Sequence, residues 1–422
     1  MNGAPSPGYF RFVGDNRRML AFGFLMTFGS SFGQTFFIGV FGPGIESTFG
    51  LTHAGWGSIY MAGTVLSAAL LPFTTRLIDR MELRPYALLV CGGLITATAA
   101  AALTPAAWCL IPVVFLLRHS GQGLASHTAV TSMVKHFRRD RGKALAVAIL
   151  GFPAGRAVLP FAAVSVMAVI GWRWTFALCA LLLSLLLLPA VAALLARDSR
   201  PAVDGDGGGR GIASGPPDPA GVGSPAMPER TPGERTLGQA LHSPFFYMIL
   251  PGILAPSFFE TALFFHQLTV AGLKSWSPAW VTGGYAVFAL MATLVSLIVG
   301  PLIDRVGAVR LLPFVLIPFA MGVLALGFGG DAGWAWVYLG LSGVGSGAMA
   351  TVLPNMLAEV FGVRHIGAIR GLVVTLSVFA SALGPPALGL MIDAGARLDV
   401  LAAGAATYLA AASALIWLAR RV

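Results

Sequence analysis

Of the 422 residues 56% are hydrophobic and only 10% charged, a balance outside the soluble range and suited to a lipid bilayer. The net charge of +10 would fit nucleic acid in a soluble protein, but here the basic residues gather at the ends of apolar runs, so they read as a topology signal and no nucleic-acid partner is expected. Cys91, Cys109 and Cys179 lie in apolar stretches without CxxC spacing, which leaves neither a disulfide framework nor a metal site to expect.

Residues 1–18 are polar, Gly- and Pro-containing and basic. They fit a cytoplasmic N-terminal segment rather than a cleavable signal, with Tyr9, Phe10 and Phe12 among the arginines suited to the headgroup layer. At about 20 residues per crossing, the apolar runs predict spans near 19–41, 54–75, 85–104, 107–134, 143–168 and 171–196, a six-helix bundle over 19–196. Residues 197–242 hold Gly207-Gly208-Gly209, seven prolines and almost no large apolar side chain, the composition of a flexible cytoplasmic linker. A second bundle over 243–422 takes spans near 244–271, 279–303, 309–329, 333–358, 367–391 and 399–419. Twelve spans put both termini on one side. That side carries 22 of the 27 Lys and Arg, against Arg173, Lys274 and Arg397 opposite, and is read as cytoplasmic.

The two halves repeat. Leu77-Ile78-Asp79-Arg80 returns 225 residues later as Leu302-Ile303-Asp304-Arg305, and Tyr60 and Tyr285, Gly142 and Gly367, and Pro160 and Pro385 keep the same offset. In so apolar a chain this predicts two six-helix bundles related by an axis along the membrane normal. The stretch from Gly300 to Arg310 resembles the loop 2-3 and loop 8-9 signature of the major facilitator superfamily; the first copy departs from it at Thr75 and Glu82. His136 to Ala146, echoed by Phe361 to Ala368, is similar to the loop 4-5 signature of the monocarboxylate porter branch of that superfamily. Gly142, Gly151 and Gly155 resemble the start of the span 5 glycine motif of antiporters, which breaks off at Arg156, so antiport is not implied and packing is the reading of these glycines. The resemblance implies an all-α integral membrane fold of twelve transmembrane helices in two pseudo-symmetric six-helix bundles. It also implies spans 1, 4, 7 and 10 around a central cavity and transport by alternating access, without fixing the substrate; a small organic anion, monocarboxylate-like, is expected from the intramembrane charges.

Ionisable side chains are expensive in hydrocarbon and normally face a bundle interior or a wet cavity. Arg118, Arg156 and Glu260 all stand roughly 20 to 25 Å from the cytoplasmic span ends. Thr27, Ser30, Ser31 and Gln34 share a face of span 1, and Ser257, Glu260, Thr261, Phe264 and Gln267 share one of span 7. The span 1 hydroxyls equally suit bonding to their own backbone. Arg156, Arg118, Gln34, Ser31 and Gln267 are therefore the expected substrate-binding residues, a carboxylate being the substrate that two arginines favour. Glu260 and His266 are expected to couple protons, and Asp79, Arg80, Asp304 and Arg305 to act as conformational latches. No Walker loop, HExxH pair or GxSxG elbow is present, so no enzyme activity, cofactor or metal is expected and the energy must come from a gradient. The rival reading is a proton-driven exporter of lipophilic cations or drugs, with Glu260 as counter-ion. A monomer is expected. The 24 Arg against three Lys and the absence of an Asn-x-Ser/Thr acceptor favour a bacterial inner (plasma) membrane.

Overall fold

The computed structural model describes residues 9–137, 140–196 and 235–420, and all its described elements are helical. Most of the expected linker lies outside the described residues. Its end is ordered: Thr236 and Gln239 each bond the other's backbone N–H, a capping box that starts the helix Leu237–Leu241, and Arg235 N donates to Phe361 O.

Span 1 is Arg17–Gly33 continued by Thr35–Phe49, span 2 is His53–Thr74, span 3 Leu83–Leu103 and span 4 residues 110–136. Spans 5 and 6 share Arg141–Leu194, span 7 covers 244–273, span 8 is Pro278–Val306 and span 9 Ala308–Phe328. Gly333–Phe361, Ile366–Asp393 and Leu398–Ala419 are spans 10 to 12. Among the described residues nine helices are long and apolar enough to cross a bilayer, and the bent first one makes a tenth. Arg141–Leu194 is two crossings: 54 residues of straight helix would reach about 80 Å, and the run turns at Gly171, whose φ of 76° and ψ of 169° no L side chain adopts without strain. Span 4 falls short on hydropathy because its middle carries Arg118, His119, Ser120 and Gln122.

Polar residues break the spans where they sit. Span 1 bends by 49° at Gln34, which is extended at φ −84° and ψ 152°. Span 4 widens into a π turn over Arg118–Ala125, and span 7 breaks at His266. Inside the first bundle, span 5 lies on span 1 through Gly151 and Gly155, where a methyl group would collide with the hydroxyls of Thr27 and Ser31. The packing reading of these two glycines is thereby explained, whereas Gly142 meets nothing.

The halves join along spans 2 and 11 and spans 5 and 8. They close at the face of loops 1-2, 7-8 and 11-12, opposite the termini. There Gly57 of span 2 touches the Pro385-Pro386 backbone of span 11, Gly389 touches His53, and Trp56 and Tyr60 pack at a tilt against Phe265, with ring centres 5.3 and 4.6 Å apart. Asp393 at the end of span 11 accepts from His53 N at 3.1 Å and Ala54 N at 2.8 Å, so its carboxylate caps span 2 of the other bundle.

Candidate functional site

Two of the three intramembrane charges meet between the bundles. Glu260 lies 16 residues into Pro244–Phe265, about 24 Å from its start. Arg156 Nη1 on span 5 donates to Glu260 Oε1 at 3.3 Å. The guanidinium carbon stands 4.9 Å from the Phe36 ring of span 1, 5.2 Å from Phe264 of span 7 and 4.4 Å from Phe288 of span 8. Aromatic faces from both bundles thus wall the cation. Ser346 of span 10 offers its hydroxyl to Glu260, and buried Tyr285 packs edge-on against Phe264 at 4.9 Å. The side chains of Arg156 and Glu260 remain 24% and 19% exposed, so the pair borders space rather than being packed on every side.

Arg118 does not join them. It is 4% exposed, and its Nη1 donates to Gly33 O at 3.3 Å and Thr35 Oγ1 at 3.4 Å, with its carbon 5.2 Å over the Tyr60 ring. The bend at Gln34 frees the Gly33 carbonyl from helical pairing, and Arg118 takes it. Arg118 thus stands at the break in span 1, apart from Arg156. Ser31 is fully buried against Gly155 with its hydroxyl unpartnered among the described residues. Thr27 bonds Gly23 O, Phe24 O and Ala148 O, and Ser30 bonds Thr27 O, so the stripe above the break is a seam to span 5 rather than a cavity wall. Gln34 stays half-buried at the break. Gln267 is 1% exposed and accepts from Tyr338 Oη at 3.4 Å, inside the second bundle.

His266 is brought elsewhere. It is 1% exposed, bonds Pro385 O through Nε2 at 2.8 Å, and stands with its ring centre 6.0 Å from that of His53, which itself pairs with Glu46 at 2.9 Å. Its expected partnership with Glu260 gives way to a cluster at the closed face. In the latch turns, Asp79 pairs with Lys135 Nζ of span 4 at 2.7 Å, and Lys135 also donates to Ile78 O. Arg80, Asp304 and Arg305 are exposed, and among the described residues Asp304 makes no ion pair. The second half holds the corresponding turn differently: Glu359 at the end of span 10 accepts from Ala308 N at 2.8 Å and Val309 N at 3.3 Å, capping span 9. The two turns expected to act as latches are thus fastened by unlike partners.

Sequence reasoning did not single out Phe36, Phe288, Ser346, Glu46, His53 or Glu359. Only Glu46 and His53 left a signal, an acid and a histidine either side of the three-residue turn 50–52 that leads into span 2.

The model of the Major Facilitator Superfamily matches residues 23–385. The chain belongs to that superfamily. As a major facilitator protein it is a multi-pass membrane transporter, and its twelve helices are those of that fold. No curated protein matches it. Among solved structures it is similar to a bacterial homolog of the human lysosomal transporter Spinster in an inward-facing and occupied conformation, with a TM-score of 0.68, 14% identity and coverage of 99% of this chain and 98% of that one. It is also similar to the same kind of homolog in an unoccupied inward-facing conformation, at a TM-score of 0.63 and 15% identity over 98% of this chain and 95% of that one. The nucleoside transporter NupG, in a mutant form, gives a TM-score of 0.69 at 10% identity, covering 95% of this chain and 99% of that one.

Proposed function

We propose that this major facilitator protein moves a small organic anion of the monocarboxylate class together with a proton, by alternating access, as a monomer in a bacterial inner (plasma) membrane with both termini cytoplasmic. The observation that carries the reading is the Arg156–Glu260 pair, one charge from each bundle, at mid-depth and only partly covered. Charge balance supplies the coupling. The empty site is neutral, with Arg156 positive and Glu260 negative. Binding an anion alone would leave a net negative charge, and binding a proton alone would leave Arg156 unpaired; an uncompensated buried charge costs several kcal/mol. Proton and carboxylate together restore neutrality: the proton takes Glu260, and the guanidinium turns its planar fork to the substrate. The loaded site can then cross as readily as the empty one.

With the termini side cytoplasmic, the face closed by the span 2 and span 11 contacts is the outward one. The lock at Asp79 and Lys135 and the Glu359 cap would loosen and re-form as the bundles rock. The exporter reading has one observation in its favour: Phe36, Phe264 and Phe288 wall a cation already, and a lipophilic cation could displace Arg156 and take Glu260 as its counter-ion. Carboxylate and lipophilic-cation binding to purified protein, measured in parallel, separates the two. Binding of carboxylates that Arg156→Lys weakens supports symport of an anion; binding of lipophilic cations that Glu260→Gln abolishes, with none of carboxylates, supports export.

A further inference from the structure

We propose that Glu46, His53 and His266 bind one transition-metal dication of the zinc class, which bridges the two bundles and holds the loop 1-2 face closed. One ligand atom from each of the three lies within 4.8 Å of the other two. Glu46 stands in the last turns of span 1 and His53 opens span 2, brought back to it by the left-handed turn at Gly50, whereas His266 comes from the break in span 7 of the other bundle. The set is two nitrogens and one oxygen with a position left for water, the donors and the open geometry that suit zinc; magnesium and calcium ask for more oxygen ligands.

Each group has spare capacity. The Glu46 side chain is 8% exposed; one oxygen pairs with His53 Nδ1 at 2.9 Å, and the other, Oε1, is buried with no hydrogen-bond partner among the described residues. A carbonyl only accepts, so the 2.8 Å contact between His266 Nε2 and Pro385 O places the ring proton on Nε2 and leaves a lone pair on Nδ1. A backbone carbonyl on the second ring nitrogen is the usual outer support of a metal-bound histidine. Asp393 spends both oxygens on His53 N and Ala54 N, which makes it a positioning residue that fixes the start of span 2. The carboxylates of Glu46 and Asp393 together balance a dication. Around a tetrahedral zinc, ligand atoms sit about 3.3 Å apart at bonds of about 2.0 Å, so separations of at most 4.8 Å must shrink by roughly 1.5 Å at most.

The ligands come from both bundles, so the complete site exists only while this face is closed, and metal binding favours that state over the one open there. Neither the substrate nor the proton coupling enters, so the site stands or falls separately from the anion reading.

The test is zinc titration of tag-free, detergent-purified protein by calorimetry, with magnesium and calcium as controls and thermal unfolding as a second readout. The expected result is one micromolar-class zinc site per chain, a zinc-dependent rise in unfolding temperature, and no response to magnesium or calcium. His53→Ala and Glu46→Gln, in different helices and each with the wild-type elution profile, are expected to weaken zinc at least about tenfold and to lose the thermal shift. Absence of zinc binding by wild type, or unchanged binding by both variants, overturns the proposal.

Discussion

Arg156 works through the shape of its head group as well as its charge. It reaches Glu260 with one nitrogen while three aromatic rings stand 4.4 to 5.2 Å from the guanidinium carbon, and a Lys ammonium cannot imitate the planar fork. Arg156→Lys is therefore expected to lower carboxylate affinity roughly tenfold or more with the protein still folded, as equilibrium binding would read. Arg118→Lys should behave in the opposite way. Its arginine holds Gly33 O and Thr35 Oγ1 at the bend of span 1, so the loss should fall on thermal stability, with carboxylate affinity nearly kept; a large affinity loss at unchanged stability would return Arg118 to the binding site. The sequence made these two arginines look alike, each a lone charge at similar depth. Depth follows from counting residues along a helix, but facing depends on the bend at Gln34 and the π turn beginning at Arg118, and neither irregularity has a reliable signature in residue spacing.

At the level of elements, helix contacts explain both what spacing revealed and what it hid. The polar stripe of span 1 was visible as an i, i+3, i+4, i+7 pattern, yet its upper part turned out to face the glycines of span 5; a helical face can be read from sequence, its partner cannot. Gly155→Val should force spans 1 and 5 apart at Ser31 and Phe28 and strongly destabilise the fold, whereas Ser31→Ala, which removes an unpartnered hydroxyl, should be tolerated. Thermal unfolding of the two variants checks this, and similar behaviour would contradict the seam. Gly171→Ala should cost on the order of 1–3 kcal/mol because the turn between spans 5 and 6 needs a positive φ. The repeated Leu-Ile-Asp-Arg turns located the ends of spans 2 and 8, but identical letters gained unlike partners, Lys135 in one half and the Glu359 cap beside the other. Asp79→Asn is expected to slow cycling with substrate affinity kept, as a comparison of transport rate with binding would show; an unchanged rate would leave the Lys135 pair a static fastening.

For the whole molecule, apolar length and the 225-residue offset were enough to count the crossings and divide the bundles, because the bilayer sets span length and duplication leaves matching landmarks. What remained hidden was contact between bundles: the meeting of Glu260 with Arg156, and of His266 with Glu46 and His53, depends on how two rigid halves dock, and no local pattern encodes that. On the proposed coupling one anion moves with one proton and no net charge crosses, so an imposed membrane potential should leave uptake unchanged while a pH gradient drives it. The most direct test is accumulation of a labelled short-chain carboxylate by proteoliposomes under an imposed pH gradient, with wild type beside Glu260→Gln. The account predicts that wild type accumulates the label against its gradient, whereas Glu260→Gln, fixed in the neutral form, exchanges it without accumulating it; accumulation by Glu260→Gln at the wild-type level would contradict the coupling role of the pair.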